Sequence, residues 1–323
     1  MKFILPFLYS FVICVIAIFF LLRPFLRLSL KKRLGGAVVI LVFVLLVLLN
    51  RDLVITKPIA GILVGGLMIL LFGLWDDLKN INWQWQLVFQ IIIALTAILF
   101  GVRSGYITNP FGGIINLSNP IIYIILYTLY FILFINSLNW LDGVDGLAGS
   151  MTLVALATIF FLSLLPHVNQ PAVAILATIA GGAILGFLVF NWHPAKIIAG
   201  TAGAWFFGFV LASLSIFSGA KVATVLMVTL IPILDLIRVV YERYRAGQSI
   251  FSRDDRHLQF KLLKLGMSEW QITLAVCAVS VAIGAIALNL SALGKLIFTV
   301  VFSVGYFGAM QAINVKCKPQ NEK

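Results

Sequence analysis

Apolar runs of about 15 to 20 residues recur along the whole chain, separated by short breaks of charged, Gly, Pro or Asn residues. At roughly 1.5 Å of rise per residue, a helix of that length crosses a hydrocarbon core of about 30 Å. The pattern predicts an all-α polytopic membrane protein with about eleven transmembrane helices. They fall near residues 3–22, 35–49, 57–74, 85–101, 120–135, 147–165, 171–190, 202–217, 222–240, 270–289 and 293–313. No internal repeat or linker divides the chain, so 1–323 reads as a single domain. Its one sizeable hydrophilic segment runs from Tyr241 to Glu269. The first run is longer than the apolar core of a signal peptide, and Arg23 follows it with no small-residue cleavage site. It is therefore read as the first span.

Composition points the same way. Hydrophobic residues make up 62% of the chain and charged ones only 11%, against about a quarter in soluble domains. A soluble fold would have to bury nearly every helix on all sides, which a chain of this size cannot do. The net charge of +12 suits cytoplasmic loops facing anionic headgroups rather than a nucleic-acid partner. Arg23, Arg27, Lys31, Lys32 and Arg33 crowd the first loop, whereas only Lys2 precedes the first span. That bias puts the N-terminus outside and, after an odd number of spans, the C-terminus in the cytoplasm. Cys14, Cys277 and Cys317 have no metal-binding or pairing pattern.

The acidic residues locate the chemistry. In this topology Asp52 lies outside, whereas Asp76, Asp77, Asp142, Asp145, Asp235, Asp254 and Asp255 sit in or beside cytoplasmic loops. The positive-inside rule does not govern carboxylates, so their clustering needs its own cause. Asp76 and Asp77, at the cytoplasmic end of the third span, repel each other unless a cation joins them, and hard oxygen ligands suit Mg²⁺. The alternative is a solvated helix end that happens to be acidic. Between spans five and six, Asn136, Asn139, Asp142 and Asp145 are interleaved with Gly143 and Gly146. If that segment is helical, Asp142 and Asp145 share a face at i, i+3; helix capping is the competing role. The loop from Tyr241 to Gln259 mixes Arg243, Arg245, Arg253 and Arg256 with acids and His257. Its Arg side chains could grip phosphate and His257 could protonate or hydrogen-bond one, unless this is only a positive-inside loop. His167 and His193 have no comparable neighbours in sequence and are read as structural. Carboxylate pairs and bases on one membrane face suit a diphosphate substrate with Mg²⁺ between them.

The motifs Lys32-Arg33-Leu-Gly35-Gly36, Gly73-Leu-Trp-Asp76-Asp77, Asn109-Pro-Phe-Gly-Gly, Asn136 through Gly149, Asn191-Trp-His-Pro194-Ala-Lys196, Pro232-Ile-Leu-Asp235 and Gly247-Gln-Ser-Ile-Phe-Ser resemble the polyprenyl-phosphate N-acetylhexosamine-1-phosphate transferase family. Eleven spans and the last motif look more like its GlcNAc-1-phosphate branch than its MurNAc-pentapeptide branch. The resemblance implies transfer of a sugar-1-phosphate, such as GlcNAc-1-phosphate from UDP-GlcNAc, onto a polyprenyl phosphate such as undecaprenyl phosphate. UMP would be released, on the cytoplasmic face of the inner membrane, for cell-envelope polysaccharide synthesis. It implies Mg²⁺, with Mn²⁺ as a substitute, as cofactor. It gives Asp76 and Asp77 the Mg²⁺-diphosphate region, makes Asp145 and His257 catalytic with them, and sets Asn139, Asp142, Lys32, Lys196 and Arg256 against the substrates. It leaves the oligomeric state open, a homodimer being one arrangement.

Three departures stand beside this resemblance. Where the family usually has Gly-Asp-x-Gly, with that Asp a metal ligand, this chain reads Gly200-Thr201-Ala202-Gly203. Gln259 replaces the second histidine of His-x-His, and Asn80 stands at the third Asp of Asp-Asp-x-x-Asp. They open the alternative of a non-catalytic relative that binds lipid phosphate, nucleotide or a partner. An ion-coupled transporter would want charges near mid-membrane and broken helices inside spans; it ranks lower, because only Asp235 and Arg238 come near that description and both sit towards the cytoplasmic end of their span.

Overall fold

The computed structural model describes residues 1–22, 33–217, 222–250 and 254–316. Those residues form helices α1 (Ile4–Leu21), α2 (Gly35–Leu49), α3 (Lys57–Lys79), α4 (Trp83–Leu99), α5 (Pro120–Leu141), α6 (Leu147–Leu164), α7 (Pro171–Asn191), α8 (Gly200–Ile216), α9 (Val222–Val228), α10 (Leu230–Arg245), α11 (Leu258–Lys264), α12 (Glu269–Asn289) and α13 (Ala292–Lys316). Strands β1 (Tyr106–Thr108) and β2 (Ile114–Asn116) pair antiparallel between α4 and α5. The sequence reading did not anticipate this hairpin. Its turn is an Asx turn in which the Asn109 side chain accepts from Phe111 N at 3.0 Å.

Among the described residues, seven helices are long and apolar enough to cross a membrane, up to eight if the bent pair α9–α10 is one span. The chain is therefore an all-α polytopic membrane protein. Proline sits in the first turn of α3, α5 and α7, where its missing N–H costs nothing. The expected span 222–240 is instead broken by 74° between α9 and α10. Pro232, in the first turn of α10, supplies the physical reason, because it cannot donate back to the turn before it and so starts a helix rather than continuing one.

Helix α8 is the central post. Its residues from Ala202 to Ile216 are all buried, and it packs against α3, α5 and α2. Peripheral helices show the inverse of a soluble pattern: α1 exposes Leu8 and Phe19, and α13 exposes Val301 and Val304, as lipid contact allows. The α3–α8 contact is close because Gly73 lacks a side chain. A Cβ there would come within 2.4 Å of Ala202 Cα. This approach sets the carboxylates that follow Gly73 against the first turn of α8.

Candidate active site

Asp76 and Asp77 end α3 and are both buried. Asp76 Oδ1 accepts from Ile81 N and Gln86 Nε2, each at 3.0 Å. Its Oδ2 accepts from Thr201 Oγ1 at 2.6 Å. Asp77 turns the other way, towards the N-terminus of α8. It accepts from Thr201 N at 3.0 Å and Ala202 N at 3.5 Å, with Arg33 Nη1 at 4.0 Å. Unpaired first-turn amides and the helix dipole favour a carboxylate there. Gly200, at φ +68°, makes the turn that presents those amides, a backbone region that disfavours residues with a Cβ. The two adjacent acids thus serve different masters, and Asp77 does not reach the cavity described below. Asn80 caps α3 in the left-handed conformation, φ 47°, a position that suits Asn better than most residues.

The segment after α5 departs from the helical expectation. Helix α5 ends at Leu141 and α6 begins at Leu147, preceded by Gly146 at φ +74°. Without a helix through the segment, Asp142 and Asp145 do not share a face. The half-buried Asp142 lines a cavity, and among the described residues its carboxylate has no hydrogen-bond partner. Burial and the negative charges of Asp77 and Asp145 push its pKa up to about 8. Asp145 points to the loop after α7, where Oδ2 accepts from Ala195 N at 2.9 Å and lies 3.1 Å from His193 Nδ1. Its own N donates to Glu269 Oε2 at 2.8 Å, and that oxygen is 3.7 Å from His193 Nδ1. His193 therefore has two acidic neighbours, contrary to its reading from sequence. Among the described residues, Asp145, His193 and Glu269 are the set of acid and histidine ligand atoms lying within 4.8 Å of one another.

His257 is buried and held by Asp235, whose Oδ2 is 2.7 Å from His257 Nδ1. A carboxylate can only accept here, so Nδ1 carries the proton and Nε2 is left for the cavity. The ring packs edge-on to Trp140 at 5.3 Å. Asp235 Oδ1 also accepts from Arg238 Nη2 at 2.6 Å, Leu258 N at 3.0 Å and Tyr306 OH at 3.0 Å. Arg243 forms a two-pronged pair with Asp254, at 3.1 and 3.0 Å, and lies over the Trp140 ring at 5.0 Å. Against the cost of burial, the Arg243 hydrogen bonds hold the Asp254 carboxyl below its usual range. Arg256 Nη2 donates to Gln248 Oε1 at 2.6 Å and its Nε is 3.3 Å from Asp254. Gln259 Nε2 donates to the Trp140 carbonyl at 2.8 Å, tying α11 to the end of α5.

A cavity of about 570 Å³ brings Asp76, Asn139, Asp142 and His257 together with Thr201, Gln86, Gln90, Arg243 and Asp254. Trp83, Leu87 and Ile132 form an apolar wall. Of the other residues expected at the site, Asp77, Asp145, Arg256 and the exposed Lys196 do not line this cavity. Lys32 lies outside the described residues. Sequence reasoning missed Gln86, Gln90, Asp235 as the histidine's partner, and Glu269. Gln86 and Gln90 carried a signal, since they fall at i, i+4 with Trp83 one turn earlier, a polar stripe in an apolar helix.

The model of glycosyl transferase family 4 matches residues 59–219, the stretch that contributes Asp76, Asp77, Asn139, Asp142, Asp145 and Thr201. Similar proteins include the decaprenyl-phosphate N-acetylglucosaminephosphotransferase of Mycobacterium leprae, 29% identical over 71% of this chain and 63% of the relative's length. The probable undecaprenyl-phosphate N-acetylglucosaminyl 1-phosphate transferase of Bacillus subtilis is 25% identical over 77% of this chain and 70% of its own. The phospho-N-acetylmuramoyl-pentapeptide-transferase of Halalkalibacterium halodurans is 30% identical over 44% of this chain and 41% of its own. The chain thus spans less than two thirds of the mycobacterial relative's length. Over residues 59–219, it belongs to glycosyl transferase family 4.

Proposed function

We propose that this protein transfers a sugar-1-phosphate, GlcNAc-1-phosphate in the first instance, from a UDP-sugar to a membrane polyprenyl phosphate, releasing UMP for cell-envelope polysaccharide synthesis. The observation that carries the reading is the single cavity that joins Asp76, Asn139, Asp142 and His257 beside an apolar wall. A lipid acceptor needs the apolar wall and a charged phosphate needs the polar end. The names of the mycobacterial and Bacillus relatives support the polyprenyl-phosphate acceptor and the N-acetylglucosamine phosphate that is transferred.

In the reaction, an oxygen of the lipid phosphate attacks the sugar-linked phosphorus. The bond to the UMP oxygen breaks and UMP leaves as an anion. His257, oriented by Asp235, offers Nε2 to a phosphate oxygen, and Asn139 offers its amide beside it. Arg243, buried in the cavity lining and fixed by Asp254, presents positive charge to the nucleotide.

A divalent cation fits the oxygen donors present. Among the described residues Asp142 is a carboxylate without a hydrogen-bond partner, and burial with two like charges disfavours its ionised form. Mg²⁺, or Mn²⁺ in its place, would be held by Asp142 and Asp76 with the substrate phosphates, and would neutralise the diphosphate. Asp77 is assigned to anchoring α8 instead of the metal role expected from sequence. In this reading the eleven crossings would be the seven long helices, the bent pair and the shorter α2, α4 and α8. With the positive-inside bias, the N-terminus is outside and the cavity faces the cytoplasm of a bacterial inner membrane.

The hydrogen bond from Thr201 to Asp76 favours the second reading, a relative that binds without turnover. The test is UMP release by purified protein given UDP-GlcNAc, polyprenyl phosphate and Mg²⁺. Turnover that falls at least about a hundredfold in His257→Gln supports the transferase. No UMP from any of a panel of UDP-sugars, with nucleotide still bound, supports the second reading.

A further inference from the structure

Among the described residues, the carboxylates around the cavity can be accounted for one by one. Asp76 accepts three hydrogen bonds, from Ile81 N, Gln86 Nε2 and the Thr201 hydroxyl. Asp77 gives both oxygens to amides of α8. Asp254 is taken up by Arg243. Asp235 receives Arg238, His257, Leu258 N and Tyr306. Among the described residues lining the cavity, Asp142 is the carboxylate with no such partner. Among the described residues, no three acid or histidine ligand atoms of the cavity converge; the set that does converge, Asp145, His193 and Glu269, does not line it.

Mg²⁺ demands six oxygens in near-octahedral array and gives up its waters reluctantly. One free carboxylate, with Asn139 near it, is too little to hold the ion against bulk water. Asp76 would have to break a 2.6 Å hydrogen bond from Thr201 before its Oδ2 could serve. A diphosphate brings its own hard, charged oxygens and changes that balance.

We infer that this protein takes up its divalent cation only together with a nucleoside diphosphate, with Asp142 the entering protein ligand and Thr201 holding Asp76 back from the nucleotide-free site. The inference rests on the transferase reading, because that reading supplies the diphosphate. Thr201 is then a residue that determines metal uptake rather than a lost ligand. A hydroxyl satisfies Asp76 as a neutral donor. A carboxylate in its place would face Asp76 as a like charge and would need a cation between them. Binding linkage requires the converse as well: the cation must strengthen nucleotide binding by the same factor.

Equilibrium dialysis of the full-length protein in detergent, with labelled UDP and Mn²⁺, counts both ligands on the protein after a protein-free cell is subtracted. Wild type is expected to retain Mn²⁺ at least about tenfold more tightly with UDP than without it. Asp142→Asn is expected to lose the UDP-dependent Mn²⁺, and Thr201→Asp to gain Mn²⁺ without UDP. Equal Mn²⁺ retention by wild type with and without UDP overturns the inference and leaves the transferase reading standing. So does an Asp142→Asn protein that still carries Mn²⁺ with UDP as wild type does. Failure of wild type to retain UDP under any metal condition overturns the transferase reading, and this inference with it. Asp142→Asn keeps the test open if Thr201→Asp does not fold.

Discussion

Replacing Asp235 with Asn removes one charge from a site that four donors share. In the wild type, Oδ2 faces His257 Nδ1 at 2.7 Å, and Oδ1 accepts from Arg238, Leu258 N and Tyr306. An amide keeps the shape but offers one oxygen and one NH₂, so at least one buried donor meets another donor. Removing one partner of a buried ion pair costs roughly 3–5 kcal/mol. Arg238 keeps Glu242 at 2.7 Å and the Arg256 carbonyl at 2.7 Å, which puts the expected loss at the low end, about 3 kcal/mol. The functional cost is separable from the structural one. If Asp235 acts by fixing the proton on His257 Nδ1, UMP release should fall by about 10² to 10⁴, the range for a mispositioned general acid or base. It should fall no further in the Asp235→Asn/His257→Gln double variant than in His257→Gln alone. The assay is UMP release by the four proteins of that cycle, at a temperature where circular dichroism shows all four folded. Losses that add in the double variant would refute the reasoning, because Asp235 would then act independently of His257. A stability change under about 1 kcal/mol would refute the energetic part.

Other substitutions probe other parts of the site. Gly73→Leu drives a side chain into Ala202, whose Cα is 2.4 Å from the modest Cβ position. It should destabilise by at least about 1–3 kcal/mol, read as a fall in thermal midpoint, with Leu71→Val on the exposed side of α3 as the neutral control. Arg243→Lys loses the two-pronged grip on Asp254 and the bond to the Ile250 carbonyl at 2.8 Å. It should raise KM for the UDP-sugar about tenfold or more while kcat changes less, since Lys cannot reproduce the fork; an unchanged KM would remove Arg243 from the nucleotide end. Asp254 gives a pH dependence. Its folded pKa lies below the unfolded 3.8, so the stability it contributes is complete above about pH 4 and lost as pH falls through the folded value. Asp254→Asn should flatten the acid limb of unfolding below about pH 4, and an unaltered limb would contradict the pairing with Arg243.

The helices were legible because a bilayer enforces one rule on every span, and runs of apolar residues report it directly. The bend at Thr229 was not, although Pro232 marked its place, because an apolar run reads the same whether it crosses straight or turns by 74°. The site divides in the same way. Asp76 and Asp142 could be picked out because charge at membrane depth is costly without a use. Their neighbours could not, because partners are a matter of tertiary approach: Thr201 lies 125 positions from Asp76, and Glu269 lies 124 from Asp145. The pair Asp142 and Asp145 shows how much turns on a local event. Had α5 run on for one more turn, the two acids would have lined one face. Because it stops at Leu141, with Gly143 and Gly146 in the connection, one acid enters the cavity with no hydrogen-bond partner among the described residues. The other is fastened to the 193–195 loop and α12. The same logic makes Thr201 informative rather than defective. Its amide caps Asp77 and its hydroxyl satisfies Asp76, so one residue holds both acids of α3 in place without a cation. What remains for a cation before the nucleotide enters is Asp142; the substrate phosphates bring further oxygens, and Asp76 joins once it gives up the Thr201 hydroxyl.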